Sequence, residues 1–216
     1  MKTTLIGASG FVGKPILEEL LNRGHEVTAV VRHADKITTK DEKLTVKEVD
    51  VMDTDALSEA VKGSEAVISA YNAGWTNPNI YDDFLAGCKA IQKAVKEAGV
   101  KRLIVIGGAG SLEIDGKQLV DGPEFPAEYK LGALSARDYL NVLKQEKDLQ
   151  WTFVSPAIEM NPGVTTGRTG KYRLGTDSPV FNEEGRSVLS VQDLAIVIVD
   201  ELENNKHPQQ RFTAAY

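Results

Sequence analysis

The sequence has few of the residues that build cross-links and metal centres. Its 216 residues include one cysteine, Cys88, and three histidines. A single cysteine excludes an intrachain disulfide. Its place on an apolar helical stripe predicts core packing rather than catalysis or redox chemistry, alongside Ile80, Phe84, Ile91 and Val95. The three histidines are scattered and lack paired ligand spacing, so we predict no metal site.

Charge of one dominant sign and long apolar runs are also absent. The net charge is −6, and the lysines and arginines are spread along the chain, which argues against a nucleic-acid surface. No apolar run approaches membrane-spanning length, and the chain enters its first strand without room for a signal peptide. We therefore expect a cytoplasmic protein whose partners include neither nucleic acid nor a membrane.

Glycine is concentrated where the first predicted strand meets the first predicted helix. Residues 7–13 are Gly-Ala-Ser-Gly-Phe-Val-Gly, a G-x-x-G-x-x-G pattern. At such a turn Gly7 permits the tight bend, Gly10 lets the backbone approach a pyrophosphate, and Gly13 allows close packing of helix on strand. The N–H groups and dipole of the helix start attract the anion. We predict a dinucleotide site formed by Gly7, Ser9, Gly10, Phe11, Val12 and Gly13.

The end of the second predicted strand favours NADP(H). About twenty residues beyond the glycines, an acidic residue is expected where the ribose 2′-hydroxyl of NAD is bound. This sequence instead has Arg32, with His33 beside it and Lys36 nearby. Cationic donors suit a 2′-phosphate, so we predict that Arg32 and His33 bind NADP(H), with NAD(H) as the alternative. The competing interpretation of Arg32 is an ordinary solvated charge at a strand end.

Strands and helices alternate along the whole chain. Strands are predicted near 3–6, 26–31, 44–49, 65–69, 102–106, 151–155 and 211–215, and helices near 11–23, 54–62, 79–98, 129–147 and 191–204. This order predicts an α/β fold, a single Rossmann-type domain over 1–216 with a doubly wound parallel sheet and helices on both faces. Two long irregular stretches, 111–128 and 157–186, are expected to form a substrate-side cap, the second with a small ordered subdomain.

Ligands of such sheets bind at the carboxyl ends of the strands, which adds further candidates. Asp50 and Val51 follow the third strand, where Asp50 either caps the adenine edge or is a solvated loop acid. Small residues after the fourth and fifth strands would let a flat nicotinamide and its ribose lie close to the backbone. The competing interpretation of residues 107–110 is a flexible turn. The candidates at these two strand ends are Ser69, Ala70, Tyr71, Gly107, Gly108 and Ala109.

Together and in this order, the motifs resemble the atypical and extended short-chain dehydrogenase/reductases. The resemblance is greatest to small bacterial NADH-flavin reductase-like, NAD(P)-binding proteins related to NmrA-like and biliverdin reductase B-like proteins. It covers essentially the whole chain and rests on residues 7–13, 50–51, 107–111, 128–130, 155–157 and 168–172. The resemblance implies that Pro156 belongs to the cofactor site and that Lys130 touches the cofactor ribose or assists a proton transfer.

The chain departs from the classical members of that superfamily at the catalytic pair. They use Tyr-x-x-x-Lys on one helical face, whereas here Tyr129 is followed four residues later by Ala133. Lys130 is adjacent to Tyr129 and therefore lies on a different side of the helix. We take Ser111, Tyr129 and Lys130 as catalytic candidates. The competing interpretations are loop or packing residues for Ser111 and Tyr129 and a solvated lysine for Lys130.

The missing pair bears on mechanism. Reduction of a ketone needs a well-placed acid, whereas an oxidised flavin or quinone disperses the incoming charge and can take its proton from water. The sequence thus favours an NAD(P)H-dependent reductase that transfers hydride to a small conjugated acceptor. The alternative is a non-catalytic NADP(H)-binding sensor of the NmrA type with a protein partner. An NAD-dependent epimerase or dehydratase is weaker, because those enzymes usually rely on the missing pair.

Overall fold

The structure, a computed structural model, describes all 216 residues and contains every predicted strand and helix. The strands are β1 (Lys2–Ile6), β2 (Glu26–Val31), β3 (Leu44–Glu48), β4 (Ala66–Ser69), β5 (Arg102–Ile106), β6 (Glu113–Ile114), β7 (Lys117–Gln118), β8 (Gln150–Ser155), β9 (Arg173–Gly175) and β10 (Gln210–Ala215). The helices are α1 (Gly13–Asn22), α2 (Thr54–Val61), α3 (Ile80–Glu97), α4 (Ala127–Leu143) and α5 (Val191–Asn204).

Eight of the strands form one sheet in the order β3-β2-β1-β4-β5-β8-β10-β9, and β6 pairs with β7 in a separate hairpin. All neighbours in the large sheet are parallel except β9, which runs antiparallel to β10 at the edge. The strand order reverses between β1 and β4, which is the switch point where doubly wound sheets bind ligands. The predicted α/β Rossmann architecture is confirmed, with one antiparallel edge strand added.

Helices cover both faces of the sheet because successive residues of a strand point to opposite sides. In β1, Leu5 packs with the cluster that includes α1 and α5, whereas Ile6 packs with the cluster that includes α2, α3 and α4. Cys88 is buried in this second cluster, as predicted, and burial raises the pKa of its thiol. None of the helices has both the length and the apolar character needed to cross a membrane.

Helices α1 and α4 are the two whose bounds differ most from the sequence-based expectations. Helix α1 begins at Gly13 rather than at residue 11, because residues 7–12 form the turn. Helix α4 ends at Leu143 rather than at 147. The carboxylate of Glu146, just beyond that end, accepts hydrogen bonds from the Asp148 N–H at 2.7 Å and from Gln92 at 2.8 Å. Burial opposes its ionisation, but these bonds and Lys96 outweigh burial and lower the pKa of Glu146 to about 2.

The two segments expected to form a cap contact each other directly and through one buried arginine. Arg211 on β10 donates to the Ser111 hydroxyl at 2.9 Å and to the carboxylate of Asp177 at 3.0 Å. The backbone N–H of Glu113 also donates to the Asp177 carbonyl at 2.7 Å. Ser111 and Glu113 belong to the first segment and Asp177 to the second, so β10 joins the two.

The second segment is also attached to the helices on one face of the sheet. Asp193 on α5 accepts hydrogen bonds from the backbone N–H groups of Thr169 and Gly170, each at 2.9 Å. Arg168 forms an ion pair with Glu19 of α1 at 3.0 Å. The small subdomain expected in this segment is not formed; its β-prone part becomes β9 and extends the main sheet instead.

Candidate functional site

The glycine turn has a tight bend at Gly7, close packing at Gly13 and open space at Gly10. Gly7 has a φ of +79°, and a Cβ there would lie 2.6 Å from the Ala70 carbonyl oxygen. A Cβ on Gly13 would lie only 1.9 Å from the Gly7 oxygen. On Gly10, by contrast, a Cβ would meet nothing closer than the Gly7 oxygen at 3.5 Å. The fold therefore needs glycine at positions 7 and 13, whereas the need at position 10 would come from a ligand.

The start of α1 presents unpaired donors beside this turn. The backbone N–H groups of Phe11 and Val12 have no protein acceptor, whereas that of Lys14 is bonded to the Gly10 oxygen at 3.0 Å. The first turn of the helix has no acidic residue and no side-chain cap. Free N–H groups and the positive end of the helix dipole form a site suited to a phosphate. The turn fits the pyrophosphate of a dinucleotide.

A cavity of about 390 Å³ lies along the carboxyl ends of β1 to β4. Predicted cofactor residues that line it are Gly7, Ser9, Gly10, Arg32, Asp50, Val51, Ala70 and Tyr71. The same cavity is lined by residues that the sequence analysis did not name, among them Met52, Asn72, Ala73, Asn77, Asp83 and Ala86. Asn72 and Ala73 directly follow predicted Tyr71. Asp83 and Ala86 lie on α3, and only the way that helix packs brings them to the cavity.

The rim of the cavity at β2 and β3 holds the charged candidates. Arg32 is exposed there and forms no ion pair with a protein carboxylate. Asp50 accepts a hydrogen bond from the Met52 N–H at 2.9 Å, which shapes the turn after β3, while Val51 is buried. His33 is exposed and lies outside the cavity lining. The structure thus brings Arg32, but not His33, to the cavity.

Tyr71 forms a fixed wall of the cavity after β4. Its ring stacks on Phe84, with centroids 5.9 Å apart, and a Cβ on Gly87 would lie 2.4 Å from the Tyr71 Cε1 atom. The hydroxyl donates to the Asp83 carbonyl oxygen at 3.1 Å. Burial raises the pKa of Tyr71 to about 12. The ring is held on several sides, and its hydroxyl is engaged by the protein.

The remaining cofactor candidates lie outside this cavity. Ser69 is buried within β4, and Gly107 directly follows β5, where a Cβ would lie 1.8 Å from the Phe153 Cζ atom. The packing of Phe153 therefore explains the glycine at 107 without a ligand. The others outside the cavity lining are Phe11, Val12, Gly13, Gly108, Ala109, Lys130 and Pro156. Gly108, Ala109 and Pro156 follow β5 and β8, which lie on the opposite side of the switch point between β1 and β4 from Arg32.

The three catalytic candidates occupy two different environments. Ser111 is only 2% exposed, and its hydroxyl accepts the hydrogen bond from Arg211, which favours a structural role. Tyr129 and Lys130 are exposed in the first turn of α4. Ala133 is buried against Gly110, where a Cβ would lie 2.9 Å from the Ala133 Cβ atom. The position of the classical lysine is therefore filled by packing between α4 and the turn after β5.

Comparison with known proteins places this geometry in a family. The model of a family described as NAD(P)H-binding matches residues 7–205, which include the glycine turn and every strand end of the cavity. The chain belongs to this NAD(P)H-binding family. The description of the family gives the class of its cofactor, a nicotinamide dinucleotide. The match and the solved neighbours confirm the resemblance to atypical short-chain dehydrogenase/reductases.

Several relatives of this NAD(P)H-binding protein align over nearly the whole chain. The uncharacterized protein YwnB of Bacillus subtilis is 41% identical, over 99% of this chain and 97% of its own length. A proposed epimerase of Bacteroides thetaiotaomicron is 49% identical with a TM-score of 0.91, over 100% and 96% of the two chains. A proposed NADH-flavin reductase of Streptococcus pneumoniae is 36% identical with a TM-score of 0.87, over 100% and 99%.

The alignment to larger reductases is partial. The chain spans 64% of the length of cinnamoyl-CoA reductase 1 from Oryza sativa, at 23% identity over 216 residues. The larger protein therefore has a further part that this chain does not match.

Proposed function

We propose that the protein is an NADP(H)-dependent reductase of a small conjugated acceptor such as a flavin or a quinone. The bound dinucleotide would supply a hydride, and the protein would supply binding and orientation. The observation that carries the proposal is the packing of Ala133 against Gly110, because it leaves no place for the lysine of the classical acid pair. A conjugated acceptor needs no such pair, since water can protonate it.

The preference for the phosphorylated dinucleotide rests on Arg32. Its guanidinium lies on the rim of the cavity, on the opposite side of the β1 end from β5 and β8, and no protein carboxylate neutralises it. A 2′-phosphate could accept two parallel hydrogen bonds from it, as guanidinium groups commonly donate to phosphate. The free N–H groups of Phe11 and Val12 would hold the pyrophosphate, and the fixed ring of Tyr71, after β4, would line the cavity beside the nicotinamide and its ribose.

A panel of electron acceptors tests the reaction. We would follow NADPH oxidation at 340 nm with oxidised flavins and quinones, and in parallel with aliphatic ketones and aldehydes. Turnover is expected with the conjugated acceptors and not with the carbonyl compounds. Turnover with the carbonyl compounds alone would contradict the proposal and require an acid that we have not assigned.

The absence of an organised acid also favours a second candidate, a non-catalytic sensor that binds NADP(H) and a protein partner. Calorimetric titration with NADP⁺ separates the two, because both bind the dinucleotide but only the reductase consumes NADPH. Binding without turnover on any acceptor would support the sensor.

A further inference from the structure

Two exposed aromatic side chains adjoin one another near the cavity. Trp75, which is 54% exposed, lies between β4 and α3, and Tyr129, which is 48% exposed, lies in the first turn of α4. Their rings meet edge to face, with centroids 5.3 Å apart and an interplanar angle of 87°. We name this pair the aromatic platform. Clustered apolar surface left in water commonly marks a binding site.

The platform is held in place by the backbone of α4. A Cβ on Gly132 would lie 2.6 Å from the Trp75 Cζ3 atom, so the indole rests on the helix where no side chain intervenes. The same Cβ would lie 3.1 Å from the Ile80 Cδ1 atom. Trp75 is therefore packed against the fold along one side while the other side of the ring faces solvent. An exposed ring that is fixed in this way is preorganised for a ligand.

The platform is continuous with the cofactor cavity. Ala73 and Asn77 line that cavity and lie two residues before and two residues after Trp75. The Asn77 side-chain amide donates to the Ala73 oxygen at 3.2 Å and to the Asp83 carboxylate at 2.8 Å, which closes this segment into a fixed loop. Trp75 thus stands between the cavity and the start of α4, the helix that follows the first cap segment.

We propose that the aromatic platform binds the planar ring system of the acceptor. Trp75 is the specificity-determining residue, and Tyr129 is a positioning residue whose ring, rather than its hydroxyl, holds the indole. The inference rests on the proposed function for the identity of the ligand. An aromatic face attracts flat conjugated rings with little regard to their substituents, whereas an aliphatic carbonyl compound gains little from it.

Binding of riboflavin and menadione at saturating NADP⁺ tests the platform by isothermal titration calorimetry. Riboflavin has no phosphate and so does not compete for the glycine turn. We expect Trp75→Ala to weaken binding of both probes about tenfold, the size typical for loss of one aromatic stack. Trp75→Phe should restore most of that loss, and Tyr129→Phe should bind better than Tyr129→Ala. The affinity for NADP⁺ should stay within about twofold in every variant, because a stack with the acceptor does not act on the phosphates.

Leu131 provides a matched control on the same helix. It is 51% exposed, but two residues beyond Tyr129 it points away from the platform, so Leu131→Ala should leave riboflavin affinity unchanged. Wild-type affinity in Trp75→Ala, or no binding of either probe by the wild type, overturns the inference even if NADPH is consumed. Trp75-dependent riboflavin binding without NADPH oxidation supports the platform and overturns the reductase proposal instead.

Discussion

Alanine substitutions at Gly13 and Gly10 should separate the demands of the fold from those of the cofactor. In Gly13→Ala the new Cβ would lie 1.9 Å from the Gly7 oxygen and 2.8 Å from the Gly7 carbonyl carbon. Both atoms are backbone, so no rotamer change relieves the overlap. Overpacking of this kind costs about 1–3 kcal/mol, and for a chain of this length each kcal/mol lowers Tm by roughly 2–4 °C. We therefore expect a fall in Tm of roughly 2–12 °C.

Gly10→Ala should behave in the opposite way. Its Cβ would come no closer than 3.5 Å to any protein atom, an ordinary contact, so we expect a change in stability below about 0.5 kcal/mol. The same methyl group would occupy the space that the pyrophosphate needs, and the affinity for NADP⁺ should fall at least tenfold, or about 1.4 kcal/mol.

Tm for the pair should be measured by calorimetry without cofactor, because a bound ligand shifts Tm by itself. Affinity follows from titration with NADP⁺. Wild-type affinity in a folded Gly10→Ala protein would mean that the phosphates bind elsewhere. Wild-type Tm in Gly13→Ala would refute the backbone contact.

Three further outcomes are expected. Arg32→Ala should lose about 10- to 100-fold in NADP⁺ affinity with little effect on NAD⁺ in parallel titrations, and equal binding of the two by the wild type would contradict the role of Arg32. Tyr129→Phe should reduce NADPH-dependent turnover less than about tenfold, against the 10²–10⁴-fold typical for loss of a general acid. Lys130→Ala should mainly weaken cofactor binding. A collapse of turnover in Tyr129→Phe alone would instead indicate acid catalysis by the tyrosine. The pKa of Glu146 is lowered from 4.5 to about 2, so its ionised carboxylate stabilises the fold at pH values above 4.5. This contribution should be lost as the pH falls from 4.5 toward 2. Over that range the urea unfolding midpoint should therefore drop less in Glu146→Gln than in the wild type.

Local pattern predicted the elements well because each pattern reports on a single strand or helix. The spacing of apolar residues located all five helices, and the glycine spacing located the turn in which Gly7 has a positive φ and Gly13 is closely packed. Contacts between distant parts of the chain have no such pattern. The hydrogen bond between Arg211 and Ser111 joins residues 100 positions apart, and the position of the Trp75 ring depends on Gly132 in α4. For this reason the burial of Ser111 could not be predicted from the sequence.

The place of β10 in the sheet has a consequence for the order in which the site can assemble. The strands that line the cavity, β1 to β4, come from residues 2–69 and pair only with each other and with β5. The second cap segment, in contrast, has its only strand partner in β10, and Arg211 on that strand joins it to Ser111. Helix α5, which packs with α1 against the Leu5 face of β1, also comes from the C-terminal third of the chain, so during synthesis that face is covered only after this third has been made. The contact between segments 111–128 and 157–186 through Arg211 likewise forms only when the final strand inserts between β8 and β9.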